Sequence, residues 1–316
     1  MDFLSNDLEF PHFNSIEPCM FCPISRSLES TCPITDMSIN AEWKGRLMPI
    51  AMGCVIPPTA HPIMSLVGVN RYHASGDLMH SGHLGQDSFV VGGVLHELLF
   101  DGPFPGSKAQ RLEQIWEKIQ FWYDRLASST RLTTLKETMF VNKDDFSVLS
   151  CKAAETNQLL IVMVELCKEV DSGSARDKHR IIALESLAAV YKIFKDAGMF
   201  LTHDEHTQAV EAYDTHMLHY NWLLKRALRM GARNYPITIK THAMWHIVDF
   251  SKWLNPRWVW CYEFEDWAGA MTTCAKACVA GSPMELIGVK VLQNYLLVLQ
   301  LSLTMRGKRG AARGSM

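Results

Sequence analysis

The chain has almost no net charge, no targeting signal at its start and no disulfide pattern, and each lack narrows the reading. Lys and Arg total 31 against 33 Asp and Glu, a formal charge of -2 over 316 residues. A balance so even gives no global argument for a polyanionic partner. The opening MDFLSNDLEFPHFNS has neither a basic start nor a long apolar run, so it is not a secretory signal. The most apolar stretch, Leu286 to Leu303, is interrupted by Lys290, Gln293, Asn294 and Gln300, which fits a buried helix and not a membrane span. The nine cysteines are odd in number and irregularly spaced, so a reducing compartment suits them better than a disulfide framework. Internal repeats and the H-E-x-x-H metalloprotease pattern are both missing.

What is present is a chain able to build a core, at 48% hydrophobic and 20% charged residues. Residues 1–70 are rich in Pro, Ser and Cys with little periodicity, and read as loops with short strands near 45–75. From about Leu84 the spacing of apolar residues is helical. It predicts helices over 84–99, 107–128, 155–170, 174–197, 203–230, 238–253, 264–280 and 284–304, with Gly231, Gly281 and the Asp171–Gly173 turn as punctuation. Within 203–230 a stripe of Val210, Tyr213, Met217, Tyr220, Leu224 and Ala227 marks a core-facing helix. The expected fold class is mainly α with a few short strands, one more of them near 255–263. The expected organisation is a loop-rich segment 1–70, a helical domain 71–304 and a disordered basic tail 305–316.

Cys19 and Cys22 form a C-x-x-C between prolines, with Cys32 and Cys54 downstream and His12 and His61 nearby. Two thiolates so spaced can grip one zinc from a tight turn, with Cys32 or His61 as further ligands. The plain alternative is free cysteines in a loop. Asp77, His80 and His83, in GDLMHSGHLG, suit a hard metal or a proton-transfer site, and Asp77 equally suits a helix cap. The pairs His203/His206, His216/His219 and His242/His246 each share a helix face. A chain with 13 histidines produces such pairs by chance, and only His242/His246 lies on a strongly apolar helix. Glu155, beside Lys152 at a helix start, reads either as a cleft carboxylate or as an acid favoured in a first turn.

The order of these motifs, a C-x-x-C, then D-x-M-H, then K-A-A-E, then K-x-H-x-x-x-H, then R-W followed by F-E-x-x-x-G, resembles the later half of eukaryotic cut-and-paste transposases of the CACTA type. The similarity spans about residues 17–270. Arg257, Trp258, Phe264, Glu265 and Gly269 match the closing motif, and Asp266 stands where that family usually has Arg. The resemblance implies the later part of an RNase H-like catalytic domain with a helical insertion. It also implies two Mg2+ or Mn2+ ions held by acids that include Asp77 and Glu265. His80, Glu155, His242 and His246 would support them, and an aromatic bed of Trp258, Trp260, Phe264 and Trp267 would lie beneath Glu265. The family's first aspartate lies on a strand well upstream of the C-x-x-C, and only 18 residues precede Cys19 here. The expectation is therefore an incomplete or inactive acidic set.

Two functions follow. One is a transposase-derived protein, nuclear, that contacts DNA. Arg306, Lys308, Arg309 and Arg313 of the tail are its candidate phosphate contacts. The other is a non-catalytic helical protein, cytoplasmic, that binds zinc or partners and allows a homo-oligomer. Neither reading places the chain in a membrane.

Overall fold

The computed structural model describes residues 14–27, 29–47, 76–142, 145–279 and 283–313, with backbone alone at 263, 266, 299 and 301–313. The chain divides into two compact units, Met1–Trp260 and Cys261–Met316. Helix dominates both, and the described residues contain no strand beyond an isolated bridge between Ser25 and Pro33. The strands expected over 45–75 lie almost entirely outside the described residues. The strand expected at 255–263 is replaced by a 3-10 turn, Pro256–Trp258, because the Asn255 side chain accepts from the Arg257 amide and Pro256 fixes the first turn.

In the first unit a π-helix, Met79–Gln86, runs directly into α1, Asp87–Asp101. Then come α2 (Lys108–Arg125), α3 (Ala153–Glu169), α4 (Ala175–Asp196), α5 (His203–Arg229) and α6 (Ile239–Phe250). The first helix expected from periodicity, 84–99, thus starts earlier, at the π-wound residues. Most starts carry the side chains that orphan N-terminal amides require. Ser107 and Gln110 form a reciprocal capping box at α2, as do Thr202 and Glu205 at α5, and Ser174 caps α4.

Helix α1 is apolar nearly all round, with Val90, Val91, Val94, Leu95, Leu98 and Leu99 fully buried, so it forms the centre of the unit. Its Gly92–Gly93 pair is a packing requirement. A Cβ at Gly92 would meet the Leu149 amide at 2.6 Å, and one at Gly93 would meet the Tyr235 ring at 2.5 Å. The Asp171–Gly173 turn joins α3 to α4, and α4 and α5 pack along each other across the connection at Gly198. The buried face of α5 is Ala209, Tyr213, His216, Met217, Tyr220, Leu223 and Ala227. Val210 and Leu224, expected in that stripe, are only half-buried, so the inward face is rotated to take in His216.

Residues 14–47 have no regular structure beyond the 3-10 turn Glu42–Arg46, yet they are firmly packed. Trp43 is fully buried and its indole N–H donates to the Asp36 carbonyl at 2.7 Å. Lys44 pairs with Asp214 of α5 at 2.7 Å.

The second unit is α7 (Tyr262–Val279) against α8 (Met284–Arg313), joined by an edge-to-face Trp267–Tyr295 contact and a Cys278–Asn294 hydrogen bond. The basic tail expected to be disordered continues α8 as far as Arg313. Burial of the 286–303 helix is not observed either: Leu286, Val289, Leu292, Leu296 and Leu297 are all about half exposed. Within the unit a single facing helix can cover only one side of α8. No helix among the described residues is long and apolar enough to cross a membrane.

Candidate metal centre

Helix α6 carries His242 and His246 four residues apart, so both rings leave the same face. That face is buried, and what covers it is the N-terminal segment. Phe21 packs on His246 and edge-on to Phe250, while Trp43 lies edge-on to His242 at 4.4 Å and to Trp245 at 4.9 Å. Packing these aromatics brings the C-x-x-C turn over the two rings.

Cys19 Sγ then stands 3.4 Å from His246 Nε2, and Cys22 Sγ stands 3.2 Å from His242 Nε2 and 3.5 Å from His246 Nε2. The two Nε2 atoms are 2.9 Å apart, and all four ligand atoms lie within 4.8 Å of one another. Around a tetrahedral zinc with bonds of about 2.3 Å to sulfur and 2.0–2.1 Å to nitrogen, neighbouring ligands stand roughly 3.3–3.8 Å apart. The cluster is slightly tighter than that and converges on one point, so these four residues could hold a metal ion such as zinc. Convergence on a single point also argues against a two-iron cluster, which would put thiolates and imidazoles on different irons.

The electrostatics suit a cation. The Cys19 thiol is pulled well below its ordinary range. Burial opposes this, but the hydrogen bond from Cys22 and the adjacent His246 and His242 outweigh it. The Cys22 thiol moves up, because it donates a hydrogen bond to Cys19 and is itself buried. Burial lowers His242 to about 4, so its ring is neutral and able to ligate. The Nδ1 atoms of His242 and His246 are buried with no hydrogen-bond partner among the described residues. Among the described residues the shell is aromatic and supplies no carboxylate or carbonyl of the kind that usually orients a ligating histidine.

This corrects the ligand set expected from sequence. Cys19 and Cys22 are in the centre, but Cys32 is not one of the four; it lies buried nearby, its amide on Ser30 Oγ and its carbonyl on the Ser25 amide. His61 lies outside the described residues, as do His12 and Cys54. The two remaining ligands are His242 and His246, at least 220 residues away in sequence.

The acidic candidates have other partners. Asp77 accepts from the His80 amide at 2.9 Å and pairs with the His80 ring, which makes it the cap of the π-helix. Glu155 accepts from the Lys152 amide at 3.0 Å, closing the first turn of α3. Glu265 is an exposed residue of α7 in the second unit. The expected aromatic bed is not packed: Trp258, Phe264 and Trp267 are at least half exposed, and Trp260 alone of the four lies against the core. Arg306, Lys308, Arg309 and Arg313 fall in the last turns of α8.

Sequence spacing also did not show the surroundings of His83, and it missed Tyr191 and Asp87. His83 lines a cleft of about 700 Å³ between the π-helix, α3 and α4, and burial lowers it to about 4. Tyr191 in the same cleft donates to Asp87 at 2.6 Å, and Asp87, fully buried, is pushed up to about 7 by desolvation. The "MHSGHLGQD" run shows the histidine and the aspartate; nothing in it shows that the helix buries both.

Comparison of the chain with family models, with curated proteins and with solved structures finds no match.

Proposed function

We propose that this is a helical protein whose N-terminal segment is locked onto α6 by one zinc ion held by Cys19, Cys22, His242 and His246, and that the zinc is structural. The observation that carries the reading is the convergence of four soft or borderline donors, from segments at least 220 residues apart, on one point. Four protein ligands close a tetrahedral shell and leave no position for substrate. The surrounding Phe21, Trp43, Trp245 and Phe250 leave little room for a reacting molecule. The ion's role is to fasten an irregular segment that has no secondary structure of its own.

The test is metal analysis of the purified full chain, followed by chelation. One zinc per chain, lost in Cys22→Ser and in His242→Gln, is the expected result. A protein that purifies without zinc, and whose melting temperature ignores both added zinc and a strong chelator, overturns the proposal.

A second reading is that the chain derives from a CACTA-type transposase. What supports it is that two of the ordered motifs, C-x-x-C and K-x-H-x-x-x-H, supply complementary halves of one centre and so belong to one spatial unit. In that reading zinc holds the scaffold, and Asp77 with Glu265 are remnants of the acidic set. DNA strand cleavage in Mg2+ or Mn2+, abolished by Asp77→Asn, is its test. Absence of nicking and of salt-sensitive DNA binding removes it without touching the zinc proposal.

A further inference from the structure

Spacing along the chain pairs His219 with His216, but folding separates them. His216 turns inward, donating from Nδ1 to the Ala183 carbonyl at 2.7 Å and accepting at Nε2 from the Gln86 amide at 2.7 Å. His219 instead meets His179 of α4, with the two Nδ1 atoms 2.9 Å apart and the ring centroids at 4.7 Å. The His179 ring is stacked on Trp222 at 3.9 Å with an interplanar angle of 2°. Both imidazoles are half-buried on two helices packed along their length, so their separation is set by rigid elements.

We propose that His179 and His219 form a second, exchangeable metal site, selective for copper(II) among the common divalent ions. Two nitrogens bound to one ion at about 2.0–2.1 Å stand roughly 2.9–3.4 Å apart, which is the bite observed here. The donors are two imidazoles with neither thiolate nor carboxylate, and the remaining positions are open to water. Such a set follows the ordinary divalent order, with copper(II) ahead of nickel(II) and zinc. Burial lowers both rings, and His219 is lowered further by its neighbour His179, which favours the neutral, ligating forms. The site does not share a ligand with the Cys/His centre, and it stands or falls apart from the zinc proposal.

The experiment uses the full chain with its cysteine centre loaded with zinc, titrated with Cu2+ and followed by electron paramagnetic resonance and tryptophan fluorescence. One equivalent should bind with a two-nitrogen signature, quench Trp222 and leave the zinc in place. His179→Gln and His219→Gln should each weaken binding at least tenfold, and Trp222→Phe should keep the binding and lose most of the quench. In the unaltered protein Cu2+ should also shield His179 and His219 from diethylpyrocarbonate, a readout that needs no variant. Equal Cu2+ affinity in both histidine variants, thiolate charge-transfer bands with zinc release, or unshielded histidines would each overturn the site and show that the 2.9 Å contact is a shared proton only.

Discussion

Two polar clusters are buried in the first unit, and they resolve the same difficulty in opposite ways. Around Arg180, which is 1% exposed, the fold supplies its own counter-charges: Asp177 at 2.9 Å and Glu97 at 3.8 Å, with Arg226 also 3.8 Å from Glu97. Around His242 and His246 it supplies four electron-pair donors and no cation except at Lys44, which is committed to Asp214. A self-neutralised cluster holds its geometry unaided. A cluster of donors alone repels itself and leaves buried groups unsatisfied unless an ion enters. The first belongs to the helical core, where α3 packs on both α1 and α4 in any case. The second joins a segment without secondary structure to α6, where the other fastening is the packing of Phe21 and Trp43. The need for an external ion tracks the lack of local structure.

The largest effect should therefore come from removing the ion. Structural zinc in small domains contributes on the order of 10 kcal/mol or more to folding at neutral pH. Here, chelation or Cys22→Ala should free residues 14–47 and expose Trp43. Proteolysis of that segment, together with a loss of Trp43 protection, reads this out. A segment that stays protected without metal would show that aromatic packing alone suffices and erase the contrast. Arg180→Met is the matching change in the other cluster. It strands Asp177 and Glu97 in the core and should cost about 3–5 kcal/mol, visible as a drop in urea midpoint. Adding Glu97→Gln to Arg180→Met should restore part of the loss. No restoration would mean that Arg180 acts through packing and not through charge.

The helices were legible before the structure because their signals are local. Periodicity placed α2 to α6 within a few residues, and the Asp171–Gly173 turn and Gly231 marked two of their boundaries. Half of the metal centre was legible too, since C-x-x-C is a local pattern. The other half was hidden by distance: which of several histidine pairs meets Cys19 is decided by Trp43 and Phe21 packing on α6, and no spacing rule carries that. The same holds for His179, whose partner is 40 residues away. The proposed acids show the opposite case. Asp77 and Glu155 each have a sufficient local role as caps, and local roles are the ones that sequence position alone can specify.

Asp87 adds a third solution to the comparison, because it has neither an ion nor a cationic partner and settles by keeping its proton. Its folded value is about 7 against an ordinary 3.8, raised by desolvation despite hydrogen bonds from Tyr191 and Asn157. Between those values the folded state holds a proton that the unfolded state has released. Stability contributed at this site is thus complete below about 3.8, is lost as pH rises, and levels off above about 7. Asp87→Asn mimics the protonated form. Its advantage over the unaltered protein in urea denaturation should be larger at pH 8 than at pH 5, by on the order of a few kcal/mol. An advantage independent of pH would mean that Asp87 is ionised in the fold and has a counter-charge.

The smallest effect is expected at Asp77, where an acid is satisfied by the amide and the ring of His80. Its carboxylate accepts from the His80 amide at 2.9 Å, and its carbonyl accepts from the Ser81 amide at 2.9 Å, so it starts the π-helix without any ion. Losing such a cap costs typically about 1 kcal/mol, and Asn retains most of it. Asp77→Ala should lower stability by about that amount, Asp77→Asn by less, and neither should change the zinc content. Mg2+ separates the cap from a catalytic remnant. A cap is indifferent to the ion, whereas a carboxylate that ligates it gains stability with rising Mg2+ concentration, a gain that both substitutions would erase. Melting curves of the three proteins with and without millimolar Mg2+ make the distinction. An Mg2+-dependent shift in the unaltered chain alone would give Asp77 a ligand role that its hydrogen bonds do not require.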